Sequence, residues 1–279
     1  MPPRFPVALL FILLLASCSG NDEFGLALPK EGAANFFPAQ LGNYWQYQNQ
    51  FGDTTLVETL KTKDSVTEFE SIGFRFSSNL PAKKRLFMTN LLANGMLHNV
   101  SNRIVYNGNI NLYLPVIEDT LKLPVKNLIL IKQNTPDHQK NFEMQDSLSK
   151  SYLFHNQKAT LFFKYTIESL SGSLFTNYIL SDTVYPQVLS SKLRIGLSIE
   201  LRSDPLHPVE ILPQQQVLEV QSFFAENIGL GKSEETHTFK FEHLAAIGYP
   251  KDSTIKSAYE QNLYRYKLHL PQDPQPQKN

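Results

Sequence analysis

The stretch LLANGMLHNVSNRIVYNGNINLYL, Leu91 to Leu114, decides the fold class. It holds two Asn-Gly pairs, Asn94-Gly95 and Asn107-Gly108, each flanked by apolar residues in alternation. Both residue types tolerate positive φ, so each pair favours the type I′ turn whose twist suits a two-residue hairpin. Two such turns predict three successive antiparallel strands. Working outward, alternation of β-branched and aromatic residues marks NYWQYQNQ, TTLVETLKTK, FRFSS, ATLFFKYTIES, LFTNYILS, KLRIGLSIELRS, QVLEVQSFFA and THTFKFEHL as further strands. DSTIKSAYEQNLYRYKLHL, Asp252 to Leu270, is ambiguous: Ile255, Tyr259, Leu263 and Tyr266 would line a helix, whereas Tyr264, Tyr266, Leu268 and Leu270 alternate. Its latter half reads as a strand. The chain is therefore expected to be mainly β, an antiparallel meander with few helices.

The N-terminus speaks to location. Residues 1–17 carry one cation, Arg4, then an apolar run from Val7 to Ala16 that is too short to span a bilayer and reads as a signal-peptide core. Leu15-Ala16-Ser17-Cys18 resembles the lipobox of bacterial lipoproteins, and Cys18 is the only cysteine in the sequence. The resemblance implies cleavage before Cys18 and acylation of its thiol, the one side chain nucleophilic enough near neutral pH to take a glyceryl group. The membrane, reached through that lipid, is the expected partner. Ser19, Asp22 and Glu23 lie in a short acidic run, Ser19 to Phe24, that resembles the export signal of surface-exposed lipoproteins in Bacteroidetes-type bacteria. The expected location is the outer membrane with the domain on the cell surface; the periplasmic face is the alternative.

Cleavage removes only Arg4, leaving 25 basic and 26 acidic side chains and a formal net charge of −1. That balance gives no electrostatic footprint for nucleic acid. With its one thiol acylated, the mature chain has none for a disulfide, a zinc cluster or a nucleophile, so stability rests on its core. The division expected is a signal peptide at 1–17, an acidic tether at 18–35, one β-rich domain at 36–270 and a proline-rich polar tail at 271–279.

Two stretches stand out, FFPAQLGNYWQYQ (Phe36 to Gln48) and FFAENIGLGKSEETHTF (Phe223 to Phe239). With the lipobox they resemble a group of Bacteroidetes-type outer-membrane lipoproteins of unassigned function. The resemblance implies a strongly curved antiparallel sheet, half-barrel-like, as in lipoprotein carriers; Gly231 before Lys232 departs from the valine usual there. From the residues alone, Trp45 and Tyr47 share one strand face and Tyr44 and Gln46 the other. Large aromatics so placed nucleate a core, or wall an apolar pocket.

Chemistry is sparse. No G-x-S-x-G, P-loop or dinucleotide fingerprint occurs. Ser147-Leu148-Ser149-Lys150 matches S-x-x-K without companion motifs. On a strand, Glu235, His237 and His243 would share a face with Phe239 and Phe241, the histidines about 20 Å apart and too far for one metal; a rim-facing pair at a strand end is expected. No catalytic residue, metal or cofactor is predicted, and the reading is a non-catalytic binding module, with a carrier of an apolar ligand as the alternative.

One pattern exceeds chance. Six of the ten aspartates precede Ser or Thr and then an apolar residue or threonine, with Thr54, Ser65, Thr120, Ser147, Thr183 and Ser253 at the centre. The tripeptide resembles the O-glycan acceptor of Bacteroidetes-type bacteria. Asx-turns at hairpin starts would produce it as well.

Overall fold

The structure, a computed structural model, describes residues 35–60, 73–81, 84–154, 157–202 and 208–269. Cys18, Ser19, Asp22, Glu23 and Ser65 lie outside them, as do the expected signal peptide and tail. The described chain is mainly antiparallel β, as expected. The first half contains β1 (Tyr44–Asn49), β2 (Thr54–Leu60), β3 (Gly73–Ser78), α1 (Phe87–Ala93), β4 (Gly95–Val100), β5 (Arg103–Leu114) and β6 (Asp119–Lys132). The second half is longer-stranded: β7 (Lys140–Phe154), β8 (Gln157–Leu180), β9 (Thr183–Leu201), β10 (Val209–Ala225), β11 (Gly229–Phe241) and β12 (Ser253–Lys267).

All twelve strands form one sheet in the order β6-β5-β4-β3-β2-β1-β12-β11-β10-β9-β8-β7. Each strand pairs with its neighbour in sequence except β6 with β7, and the first pairs with the last, Trp45 opposite Tyr266 and Tyr47 opposite Leu263. Rolled up, this meander is a barrel with one seam. The two sheet ends, β6 and β7, meet there through side chains, Lys150 and the Tyr152 hydroxyl both bonding Asp119 Oδ2, and just past β6 Thr135 Oγ1 lies 2.7 Å from Ser171 Oγ of β8.

The Asn-Gly reading is corrected in detail. Neither pair is a hairpin turn. Asn94 ends α1 and Gly95 starts β4; Asn107-Gly108 lies inside β5. Gly95 and Gly108 stand opposite each other, and both are glycine because the backbones crowd. A Cβ on Gly108 would come within 2.6 Å of the Gly95 Cα. The actual β4–β5 turn is Val100–Arg103, with Ser101 at φ 52°. The ambiguity over Asp252 to Leu270 is resolved: the latter half is strand as read, up to Lys267, and the first half is strand too rather than helix, from Ser253. ATLFFKYTIES and LFTNYILS prove to be one strand, β8, irregular between Ser171 and Leu174.

The barrel has two unlike ends. At one, the chain comes in: Asn35 O accepts from Asn227 N–H in the β10–β11 turn, and Phe37 packs 5.1 Å from Trp45, 5.6 Å from Phe76 and 6.4 Å from Phe224. Trp45 Nε1 donates to Ile228 O at 2.7 Å, so the buried indole nitrogen is satisfied. Gly229, at φ +109°, sits under that ring where a Cβ would press on Nε1 at 3.2 Å. The two stretches singled out in the sequence thus meet and seal this end. The other end carries the β1–β2, β5–β6 and β11–β12 connections.

Candidate functional site

β4 is short, and that shapes the site. Past Gly108 its pairing with β5 stops, so Asn109–Leu114 is partnered by β6 alone. β3 likewise pairs with β4 only at Gly73–Arg75. Helix α1 fills the resulting gap in the wall, packing against β2, β3, β4 and β5. Its residues Phe87 to Leu92 are all buried, which is the pattern of a plug and explains why no amphipathic period announces it.

Between the start of α1 and β5 a cleft of about 610 Å³ reaches the barrel interior near the unsealed end. Apolar walls come from Leu86, Phe87, Leu112, Pro115, Phe239 and Ile255. Its polar equipment is concentrated on β11 and β12. Glu235, 4% exposed, accepts the Phe87 N–H through Oε2 at 2.6 Å and lies 3.3 Å from His237 Nε2 through Oε1. The helix has no side-chain cap of its own, so a carboxylate from the opposite wall holds its first turn. Tyr259 packs edge-on to His237, ring centroids 5.8 Å apart. Asn111 Oδ1 is buried in the wall without a hydrogen-bond partner. At the mouth stand Lys84 and Arg85; Arg85 Nε donates to Leu80 O at 2.6 Å, and partial burial lowers its guanidinium pKa, which still leaves it charged at neutral pH.

The rim-facing reading of Glu235 and His237 is corrected, since both point inward and Glu235 is deeply buried. His243 is not on the strand at all; β11 ends at Phe241, and His243 adopts φ 52° with Nδ1 3.0 Å from Glu210 O. Among the described residues no group of three or more His, Cys, Asp or Glu is placed to hold a metal. Ser147 and Lys150 sit on strand β7, an odd number of residues apart and so on opposite faces. Trp45 and Tyr47 are fully buried at the sealed end and do not line the cleft.

The aspartate tripeptides divide. Thr54, Thr120, Thr183 and Ser253 each stand in the first two residues of a strand, with Thr120 on the cleft wall, whereas Ser147 is exposed in mid-strand. Their aspartates serve varied partners rather than one Asx-turn pattern: Asp252 accepts from Leu244 N–H, and Asp119 holds the seam. Residues of the cleft that the sequence did not flag are Arg85, Asn90, Asn111 and Tyr259. No signal of spacing joins them, because α1, β5 and β12 come together only in the rolled sheet.

No known protein family matches the chain, and neither a curated protein nor a solved structure matches it.

Proposed function

We propose that the chain is a lipid-anchored, non-catalytic envelope lipoprotein that binds a small, mainly apolar ligand in the cleft beside α1. The observation that carries the reading is the cleft itself: about 610 Å³ of space beside α1, walled by aliphatic and aromatic side chains, with the buried Glu235 carboxylate and the Asn111 amide among its lining. A module that only displays a surface has no use for such a cavity, which favours the carrier among binding roles. Support for the anchor, for outer-membrane surface display and for kinship with Bacteroidetes-type lipoproteins comes from the sequence: Leu15 to Cys18, the acidic run with Asp22 and Glu23, and the two stretches that meet at the sealed end. O-glycans would fit where the acceptor hydroxyl faces water, as at the exposed Ser147, whereas Thr54 and Ser253 are half-buried at their strand starts.

The test is mass spectrometry of protein purified gently from native membranes. It should show acyl chains on Cys18 and a non-covalent ligand that leaves on denaturation. Ser257→Trp, which places an indole in the cleft next to His237, should abolish the ligand mass and leave acylation and far-UV circular dichroism unchanged. A ligand retained by Ser257→Trp, or none in the wild type, overturns the carrier reading.

A further inference from the structure

The sealed end is apolar on its outside as well as its inside. The β8–β9 hairpin turns at Ser181-Asp182 and closes with Leu180 opposite Thr183; one pair back Ile179 stands opposite Val184, and both of these side chains stand in solvent at 64% and 59% exposure. The tip is nevertheless held in place. Leu180, on the pair's other side, is buried with Val188 and Ala225 and reaches Gly231 of β11, while Phe175, Tyr178 and Phe223 stack in sequence behind it. The tip thus lies against the outer end of β10–β12, where burial, and then the neighbouring Tyr266 phenol, raise the Tyr185 pKa. Around it stand exposed Tyr264 and Tyr266 on β12 and exposed Leu41 in the incoming segment. Arg265 lies over the Tyr264 ring at 4.9 Å, and Lys267 follows.

A rigid, water-exposed aliphatic pair ringed by tyrosines and two cations has the composition of an interfacial membrane contact: apolar tips for the acyl boundary, phenols at headgroup level, cations for lipid phosphates. The chain tethers this same end to the lipid. The described residues begin at Asn35, fixed at this same end by Asn227 and by Asn99 Nδ2. The sixteen residues between Cys18 and Asn35 span at most about 60 Å fully extended. An anchor on Cys18 therefore holds this end within about 60 Å of the bilayer, at an effective concentration where a contact of millimolar affinity is occupied.

We propose that the β8–β9 tip, with Leu41, Tyr264 and Tyr266, seats the anchored barrel on the lipid surface, so that the cleft opens at the far end. The proposal rests on the lipid-anchor reading. The Asp182-Thr183-Val184 tripeptide lies in this tip, and a glycan on Thr183 is incompatible with seating.

The experiment uses the acylated protein, in which lipid consumes the only native thiol, so that a single introduced cysteine takes a nitrobenzoxadiazole probe. Ile179→Cys and Tyr113→Cys, both exposed and at opposite ends, are labelled and reconstituted into vesicles of equal parts phosphatidylethanolamine and phosphatidylglycerol containing nitroxide-labelled lipid. The probe at 179 should shift blue and be quenched, and the one at 113 should do neither. A Tyr266→Cys probe should respond like the one at 179 and lose that response when Ile179→Asp and Val184→Asp are added. No response at 179, a response at 113, a response surviving the aspartates, or a native glycan on Thr183 each overturns the proposal. Failure of the anchor shows separately, as an unmodified Cys18 that takes a second label.

Discussion

At the sealed end Phe37, Trp45, Phe76 and Phe224 lie ring against ring, and the one polar atom among them, Trp45 Nε1, donates to Ile228 O. At the other end α1 is held in a gap of the wall by a buried carboxylate, beside a cleft with an unpaired acceptor on Asn111. Both regions belong to one sheet and face one interior. They differ in what each asks of the sequence: the first fills its volume with aromatic rings, at the cost of leaving the buried Tyr47 hydroxyl unpaired, whereas the second keeps volume empty beside groups that a ligand can reach. Stability should be concentrated in the first and binding in the second.

The largest effect expected is at Trp45. Truncation of a fully buried large aromatic costs about 3–5 kcal/mol through lost transfer energy and the cavity left behind. Trp45→Ala should cost that much in urea denaturation and also strand the Ile228 carbonyl. Trp45→Phe refills most of the space, so about 1–3 kcal/mol should remain for the unpaired acceptor. Removing the exposed Tyr113 side chain from the cleft wall should change stability by no more than about 0.5 kcal/mol. Similar costs at 45 and 113 would dissolve the contrast between the ends.

A medium effect belongs to Glu235, where the cleft borrows structural work from the core. Glu235→Ala leaves the Phe87 N–H without its acceptor in a buried site, worth about 1–3 kcal/mol. Hydrogen exchange at Phe87 should speed up selectively, since opening α1 no longer breaks that bond. Glu235→Gln keeps an acceptor oxygen and should cost less than the alanine variant. Equal losses would mean that the charge beside His237, rather than the bond to the helix, holds the site together.

How much of this was legible depended on whether the signal was local. Alternation is local, so the β class, the edges of β1 and β2 and the inward face of Trp45 and Tyr47 could be read directly. The Asn-Gly pairs misled because glycine has two uses: positive φ and room for a second backbone. At Gly95 and Gly108 the second use wins, and only the pairing of β4 with β5 reveals it. β6 and β7 escaped notice for another reason. In β7 one face does alternate, Phe142, Met144, Leu148, Tyr152 and Phe154 packing half-buried against the core, but Asp146 and Lys150 interrupt that face and break the run. The cleft was the least legible, because Glu235, Asn111 and Asn90 stand on three elements that the chain alone does not bring together.

The smallest effect lies at the seam, which tests whether the ends are coupled through a closed wall. Burial acts to raise the Asp119 carboxyl, but hydrogen bonds from Lys150 and Tyr152 outweigh it and hold its pKa below the ordinary carboxylate value. A depressed folded pKa contributes stability above the unfolded value, about 3.9, and loses it as pH falls through the folded one. Because Lys150 and Asp119 are partly open to solvent, the pair is worth at most about 1 kcal/mol. Asp119→Asn is a poor probe, since it also alters the Asp119-Thr120-Leu121 tripeptide. Tyr152→Phe removes one bond to the carboxylate and leaves the tripeptide intact. It should lower stability slightly at neutral pH, with the difference from wild type shrinking once the medium is acid enough to protonate Asp119. Exchange of backbone amides along β6 and β7 should rise while those of β1 and β12 stay protected. If β1 and β12 loosened equally, the seam would govern the whole barrel, and the distinction between a rigid sealed end and an adaptable open one would fail.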